Sequence, residues 1–218
     1  WLEEIRKDAA AIYLLGDLFD FWFEYKTVVP KGFVRVLGKL AELSDAGIPI
    51  TFFVGNHDLW MRDYFQKELG VTVHHQPITL TLGTSRFFIG HGDGLGPGDK
   101  GYKRMKKLFT HPLSQWLFRW LHPDWGVRLG QYLSKKNKLI SGEEDVKFLG
   151  EDKEWLVAYS KRKLQKEQFD YFVFGHRHLP LEISLGEKSQ YINLGDWITH
   201  NTYAEYDGQR LVLKTWKK

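Results

Sequence analysis

Short, wholly apolar runs alternate along the chain with longer stretches of helical period, and the short runs organise it. The first is residues 12–15 in AIYLLGDLFD, four apolar residues closed by Gly16 and Asp17, with a second carboxylate at Asp20. A run of this length bounded by glycine predicts a strand buried on both faces of a sheet. Residues 30–46 then place Phe33, Val34, Leu37, Leu40, Ala41 and Leu43 on one helical face, and Gly47 ends the pattern. Residues 48–54 are again a short apolar run, leading into Gly55-Asn56-His57-Asp58. Strand, helix and strand at this spacing predict a parallel crossover. A short helix over 61–69 follows, closed by Gly70, then strands over 71–75, 78–82 and 86–89, the last delivering Gly90-His91-Gly92-Asp93. The pattern turns helical through 98–138 and again over 142–168. Residues 171–174 form an aromatic strand that delivers Gly175-His176-Arg177-His178, and residues 181–216 alternate as strands with a turn at Asp207-Gly208. A layered α/β fold is the economical solution for this order of elements.

Composition narrows the chemistry. Among 218 residues there is no cysteine, which excludes disulfides and thiolate metal sites. No apolar run is long enough for a membrane-spanning helix. Charge is distributed unevenly. Residues 100–138 hold ten Lys or Arg against one acid, Asp124, within a chain whose net charge is only +4. A basic segment on an otherwise acidic body suits an anionic partner.

Four apolar runs therefore end in a glycine followed by polar residues: GDLFD at 16–20, GNHD at 55–58, GHGD at 90–93 and GHRH at 175–178. Glycine lets a chain turn sharply at a strand end and approach a ligand closely. A single Gly-Asp is most simply a turn, and a single histidine is more often structural than a ligand. Four such clusters at strand ends point instead to one metal site. Carboxylate, amide oxygen and imidazole together suit Mn, Fe, Zn or similar divalent ions. In an extended backbone, His176 and His178 face the same side.

In this order the blocks resemble the calcineurin-like metallophosphoesterases, whose pattern is D-x-H, G-D-x-x-D, G-N-H-[DE], a later Gly-His, and G-H-x-H. The resemblance implies a β-sandwich flanked by helices, an α/β layered fold over residues 1–218, with two divalent metal ions at one edge. Mn2+ is the first expectation, with Fe, Zn and Mg as alternatives. It assigns Asp17 as the carboxylate bridging both ions, Asn56, His91 and His176 to one ion, and His178 to the other. The D-x-H block is expected on a first strand upstream of Trp1. Two such ions, about 3.5–4 Å apart, clamp a phosphoryl group and activate a water for in-line attack. His57 is expected to face the phosphate as proton donor or charge stabiliser, and Asp58 to hold its imidazole in orientation. Asp20 admits a similar supporting role or that of a turn residue, and Asp93 is a weaker candidate.

Residues 98–138 read as a helical cap inserted between two of the metal-bearing strands. Leu113, Trp116, Leu117, Trp120 and Leu121 follow helical spacing amid the basic residues. Such a stripe ordinarily faces a core; among ten basic side chains it suits an amphiphile or a membrane surface. Single-stranded nucleic acid is a weaker partner for it, because bulky Leu and Trp on one stripe fit acyl chains better. His91-Gly92-Asp93, Asp99 and Gly101-Tyr102 are similar to the branch of the family that cleaves UDP-2,3-diacylglucosamine in lipid A synthesis. That resemblance implies a nucleotide-lipid substrate touched by Asn56, His57, Asp99, Tyr102, Arg128, Asn137 and His176. It also implies a place at the inner face of the cytoplasmic membrane of a Gram-negative bacterium. Well-known members of that branch carry Arg where this chain has His57, the residue of the wider superfamily. A metallophosphoesterase for another phosphoester, and a scaffold without activity, are the competing readings; scaffolds of this family lose the histidines that this chain keeps.

Overall fold

The computed structural model describes residues 1–96, 100–145, 147–148 and 150–217, and side chains outside 136–145. In chain order the elements are α1 (Leu2–Ile5), β1 (Ile12–Leu14), α2 (Val34–Asp45), β2 (Ile50–Phe53), α3 (Tyr64–Leu69) and β3 (Thr72–His74). Then come β4 (Ile78–Leu82), β5 (Ser85–Gly90), α4 (Lys100–Thr110), α5 (Pro112–Arg119) and α6 (Pro123–Asp145). A 3-10 turn at Glu151–Lys153 precedes α7 (Trp155–Leu164), β6 (Tyr171–Phe174), β7 (Pro180–Ser184), β8 (Gln190–Leu194), β9 (Thr202–Tyr206) and β10 (Leu211–Thr215). The fold is mixed α/β. Its contacts fall into two compact units: Trp1–His75 with Gly101–Lys138, and Gln76–Lys100 with Leu139–Lys218.

In the first unit β1, β2 and β3 form a parallel sheet in that order, with Ile12 opposite Ile50 and Phe52 opposite Val73. The expected crossover is present. Its helix α2 begins later than the apolar period suggests, because Gly32 takes a φ of +106° and holds the preceding turn out of the helix. Leu37, Leu40 and Leu43, spaced at i, i+3 and i+6, bury one face of α2 in a core with Trp22, Phe52 and Phe65. β1 is less buried than the sequence suggests: Ile12 is buried, but Tyr13 and Leu14 are half-exposed, since β1 lies at the edge of this sheet. The Glu24 carboxylate is buried and accepts hydrogen bonds from the Trp22 indole and from the backbone N–H groups of Arg62, Asp63 and Tyr64. The N–H groups of Asp63, the N-cap, and Tyr64 are orphan donors at the start of α3, and Glu24 satisfies them.

Helices α5 and α6 pack against the same unit. Phe118 meets Phe23 and Trp60 at ring-centroid distances of 4.7 Å each, and the Trp60 indole donates to the Phe109 carbonyl at 2.6 Å. On α6, Gly126 and Gly130 lie one turn apart, and a Cβ at either would collide with Tyr25 or Phe21 respectively. The other side of these helices is solvated: Trp116, Trp120, Trp125 and Tyr132 are 52%, 75%, 71% and 62% exposed. The apolar stripe is therefore a surface and not a core face.

In the second unit a five-stranded sheet runs β4-β5-β6-β8-β7, with β5, β6 and β8 parallel and β4 and β7 antiparallel at its edges. Leu156 and Val157 of α7 bury against Phe88, Phe172 and Phe174. β9 and β10 form a hairpin turning at Asp207-Gly208, as expected, and the Tyr206 hydroxyl ties it to β4 and β5 through the Leu82 carbonyl and Ser85 hydroxyl. The single helix expected over 142–168 is corrected. α6 ends at Asp145 and α7 starts at Trp155, because Gly150 takes a φ of +97° and Glu154 an extended conformation that no helix continues through.

Candidate active site

In the first unit, β1 and β2 are parallel and both end in the predicted clusters, which places residues 16–18 beside 55–58. Asp58 is fully buried and holds the two loops together: its Oδ1 accepts from the Gly55 N–H at 2.5 Å and its Oδ2 from the Leu18 N–H at 3.1 Å. Asp17 Oδ1 accepts from the His57 N–H at 2.8 Å. A Cβ at residue 55 would overlap the Asp17 carboxylate, so the glycine before Asn56 is what lets the two loops close. Asp17 itself has a φ of +53°. Aspartate tolerates the left-handed region better than most side chains, and such strain concentrates at functional sites.

His57 was expected to lean on Asp58. The groups at its Nδ1 are instead the Asp20 carbonyl at 3.1 Å and the Ser134 hydroxyl of α6 at 2.7 Å. A carbonyl can only accept and a hydroxyl can do either, so both contacts are met together in the tautomer with the proton on Nδ1, which leaves Nε2 as the other ring nitrogen. Asp20 thus contributes its backbone, which no residue pattern reveals. Ser134 was missed as well; its one sequence signal is the stripe Gly126, Gly130, Ser134, small residues at i, i+4 and i+8 on the packed face of α6.

In the second unit the parallel pairing of Gly90 with Phe174 brings the ends of β5 and β6 together, and the Gly175 N–H donates to the His91 carbonyl at 3.0 Å. His91 is buried, and its Nε2 lies 3.2 Å from His176 Nδ1. The segment 175–178 is not extended: His176 has a φ of +64° and the Arg177 N–H folds back to the Gly175 carbonyl at 2.7 Å. The alternation argument for His176 and His178 is corrected accordingly. The turn is held from three sides. Asn193, fully buried, donates to the Gly175 carbonyl at 2.6 Å. The buried Arg177 guanidinium pairs with the buried Glu154 carboxylate at 2.9 Å. Trp155 lies edge-on to the His176 ring. His178 Nδ1 is 4.0 Å from Asp196 Oδ2, which also takes His200 Nδ1 at 3.2 Å. Burial raises the Asp196 pKa, but the backbone N–H groups of Thr199, Ile198 and His200 and the His200 ring outweigh it and hold the carboxyl below its ordinary value. Asp93 is buried near the end of β5. Glu154, Asn193 and His200 carry no strand-end signature; Asp196 does, since Gly195-Asp196 follows β8 as Gly16-Asp17 follows β1, and sequence reasoning passed over all four.

Of the expected substrate contacts, Tyr102 is half-buried in the first turn of α4 and Arg128 is exposed on α6. Asp99 and the Asn137 side chain lie outside the described residues.

The family model of the calcineurin-like phosphoesterases matches residues 1–180. The chain is 44% identical to the UDP-2,3-diacylglucosamine hydrolase of Porphyromonas gingivalis, over 99% of this chain and 87% of that protein. The proteins of the same name from Neisseria meningitidis serogroup A and Edwardsiella ictaluri are 32% and 28% identical, over 90% and 98% of this chain and 78% and 82% of their own lengths. A match through most of the chain, reaching all four strand-end clusters, makes this protein a member of the calcineurin-like phosphoesterase family.

Proposed function

We propose that the protein is a metal-dependent hydrolase that cleaves the pyrophosphate of UDP-2,3-diacylglucosamine, giving UMP and 2,3-diacylglucosamine 1-phosphate. The observation that carries this reading is the 44% identity, along almost the whole chain, to a hydrolase named for that substrate. Asp17, Asn56, His91, His176 and His178 are proposed to hold two divalent ions, with Mn2+ as the first choice. The donor chemistry fits: a carboxylate, an amide oxygen and imidazole nitrogens are the mixture suited to such ions. Two imidazole nitrogens 3.2 Å apart, at His91 and His176, are a further fit, since both can turn lone pairs toward one cation. Bound ions supply a hydroxide at neutral pH and charge for the phosphoryl oxygens.

The protein's own residues do the rest. Asp58 and Gly55 keep Asn56 and Asp17 side by side. His57, with Nδ1 committed to Asp20 and Ser134, presents Nε2 to the phosphate as the proton-handling atom. Asp99, Tyr102, Arg128 and Asn137 are proposed for the head group, alongside Asn56, His57 and His176. The exposed Trp and Leu side chains of α5 and α6 would take the acyl chains and rest on the inner face of the cytoplasmic membrane, while the basic residues between them meet its anionic lipids.

Purified protein with Mn2+ should release UMP from UDP-2,3-diacylglucosamine in detergent micelles, and chelation should abolish release. His57→Ala should lower kcat by about 10²–10⁴-fold, the usual worth of a proton-transfer group, and Asp17→Ala should remove activity. Soluble phosphodiesters belong in the same assay. Turnover of those with the lipid substrate left intact would reassign the protein to another phosphoester.

A further inference from the structure

Ser134 is the residue of the helical segment that reaches the reactive machinery through a contact the sequence does not announce. It sits on the face of α6 that Gly126 and Gly130 bring against Phe21 and Tyr25, two turns and one turn further along. Without Cβ atoms at those two positions the helix axis lies close to the 21–25 segment. The third small residue of the stripe then arrives at His57, with its hydroxyl 2.7 Å from Nδ1. The same nitrogen faces the Asp20 carbonyl at 3.1 Å, and the Trp22 N–H donates to the His57 carbonyl at 3.2 Å. One ring nitrogen therefore has two oxygens beside it. If Nδ1 were bare, the Asp20 carbonyl would confront a lone pair. A protonated Nδ1 shared between both oxygens satisfies all three groups.

We propose that Ser134 is a positioning residue: its hydroxyl, together with the Asp20 carbonyl, fixes His57 in the Nδ1–H tautomer and aims Nε2 at the substrate. This rests on the role assigned to His57 above, and it makes α6 part of the reactive apparatus as well as a lipid-facing surface. Ring orientation is set by whatever the other nitrogen binds, as in other sites where a histidine must present one chosen atom.

Two measurements test it. In long-range nitrogen–proton NMR of the intact protein, with His57 assigned by the signal lost in His57→Gln, the wild type should show Nδ1 protonated and Nε2 bare. Ser134→Ala should mix the tautomers, and Ser134→Thr, which keeps the hydroxyl, should restore the wild-type signal. In the hydrolysis assay Ser134→Ala should lower kcat roughly tenfold with KM within about twofold, the size of one lost hydrogen bond. Ser134→Thr should recover most of the rate. A wild-type Nε2–H tautomer overturns the proposal. So does a rise in KM at unchanged kcat, which would make Ser134 a substrate contact. Because the NMR signal needs no substrate, failure of the substrate assignment would leave this result readable on its own.

Discussion

A carboxylate without solvent survives only where hydrogen bonds replace its water, and at Asp58 the replacements are backbone N–H groups from two different loops. This residue looks catalytic because it follows His57, yet these two hydrogen bonds are architectural: they set the spacing between the loop of Asp17 and the loop of Asn56. Asp58→Ala is therefore expected to cost stability, about 3 kcal/mol for two hydrogen bonds to a charged acceptor with the donors left buried. Urea denaturation checks this. A variant as stable as wild type but inactive would return Asp58 to a direct role at the imidazole. Asp17 and His176 share a different device. Both hold left-handed φ values, +53° and +64°, where Asp and His are among the few side chains tolerated. Each turn costs roughly 1–3 kcal/mol, and each places a proposed ligand at a strand end where an extended residue would point elsewhere.

Helix α6 shows how an element's meaning depends on what it packs against. Replacing a helical glycine by alanine ordinarily stabilises by about 0.5–1 kcal/mol through backbone entropy. At Gly130 the sign should reverse, because the new methyl would overlap the Phe21 ring, and overpacking costs about 1–3 kcal/mol. Gly101→Ala, in α4 with open space at the Cβ, is the control and should be neutral or stabilising. Equal stabilisation of both variants in thermal melts would show that α6 does not approach the 21–25 segment this closely. The same dependence explains what the sequence could and could not tell. Strands such as Ile78–Leu82 and Tyr171–Phe174 were legible to the residue, since a short apolar or alternating run bounded by turn residues has few other solutions. The break between α6 and α7 was not, because apolar periodicity continues across it and only the φ of Gly150 and the Arg177–Glu154 pair reveal it. The strand-end clusters could be read from glycine and ligand types. The Asp20 carbonyl could not, for every residue has one, and Ser134 acquires its role only once α6 is docked.

At the scale of the whole molecule, two asymmetries coincide on residues 100–138. Ten Lys or Arg and one acid give this segment its positive charge, while the rest of the chain is net acidic. Among the described residues, the same segment holds most of the exposed large apolar side chains, including Leu113, Trp116, Leu117 and Trp120. Contiguous exposed apolar residues on this scale mark interaction surfaces, since leaving them in water wastes burial worth about 1.5–3 kcal/mol per large side chain. Either asymmetry alone has a simple explanation: charge aids solubility, and a lone Trp on a surface is ordinary. Together they suit an interface whose outer layer is anionic and whose interior is apolar. The protein should then sediment with vesicles containing phosphatidylglycerol and much less with neutral phosphatidylcholine ones, and binding should weaken between 0.1 and 1 M salt as surface charges are screened (Debye length from about 10 to about 3 Å). Trp116→Ser with Trp120→Ser should lower partitioning by at least about tenfold, as loss of even part of one buried ring's transfer energy requires. UMP release from a short-chain, micelle-free substrate analogue should change little. If the double variant sedimented like wild type, the apolar surface would serve some other partner, and the attraction to anionic vesicles would be charge alone.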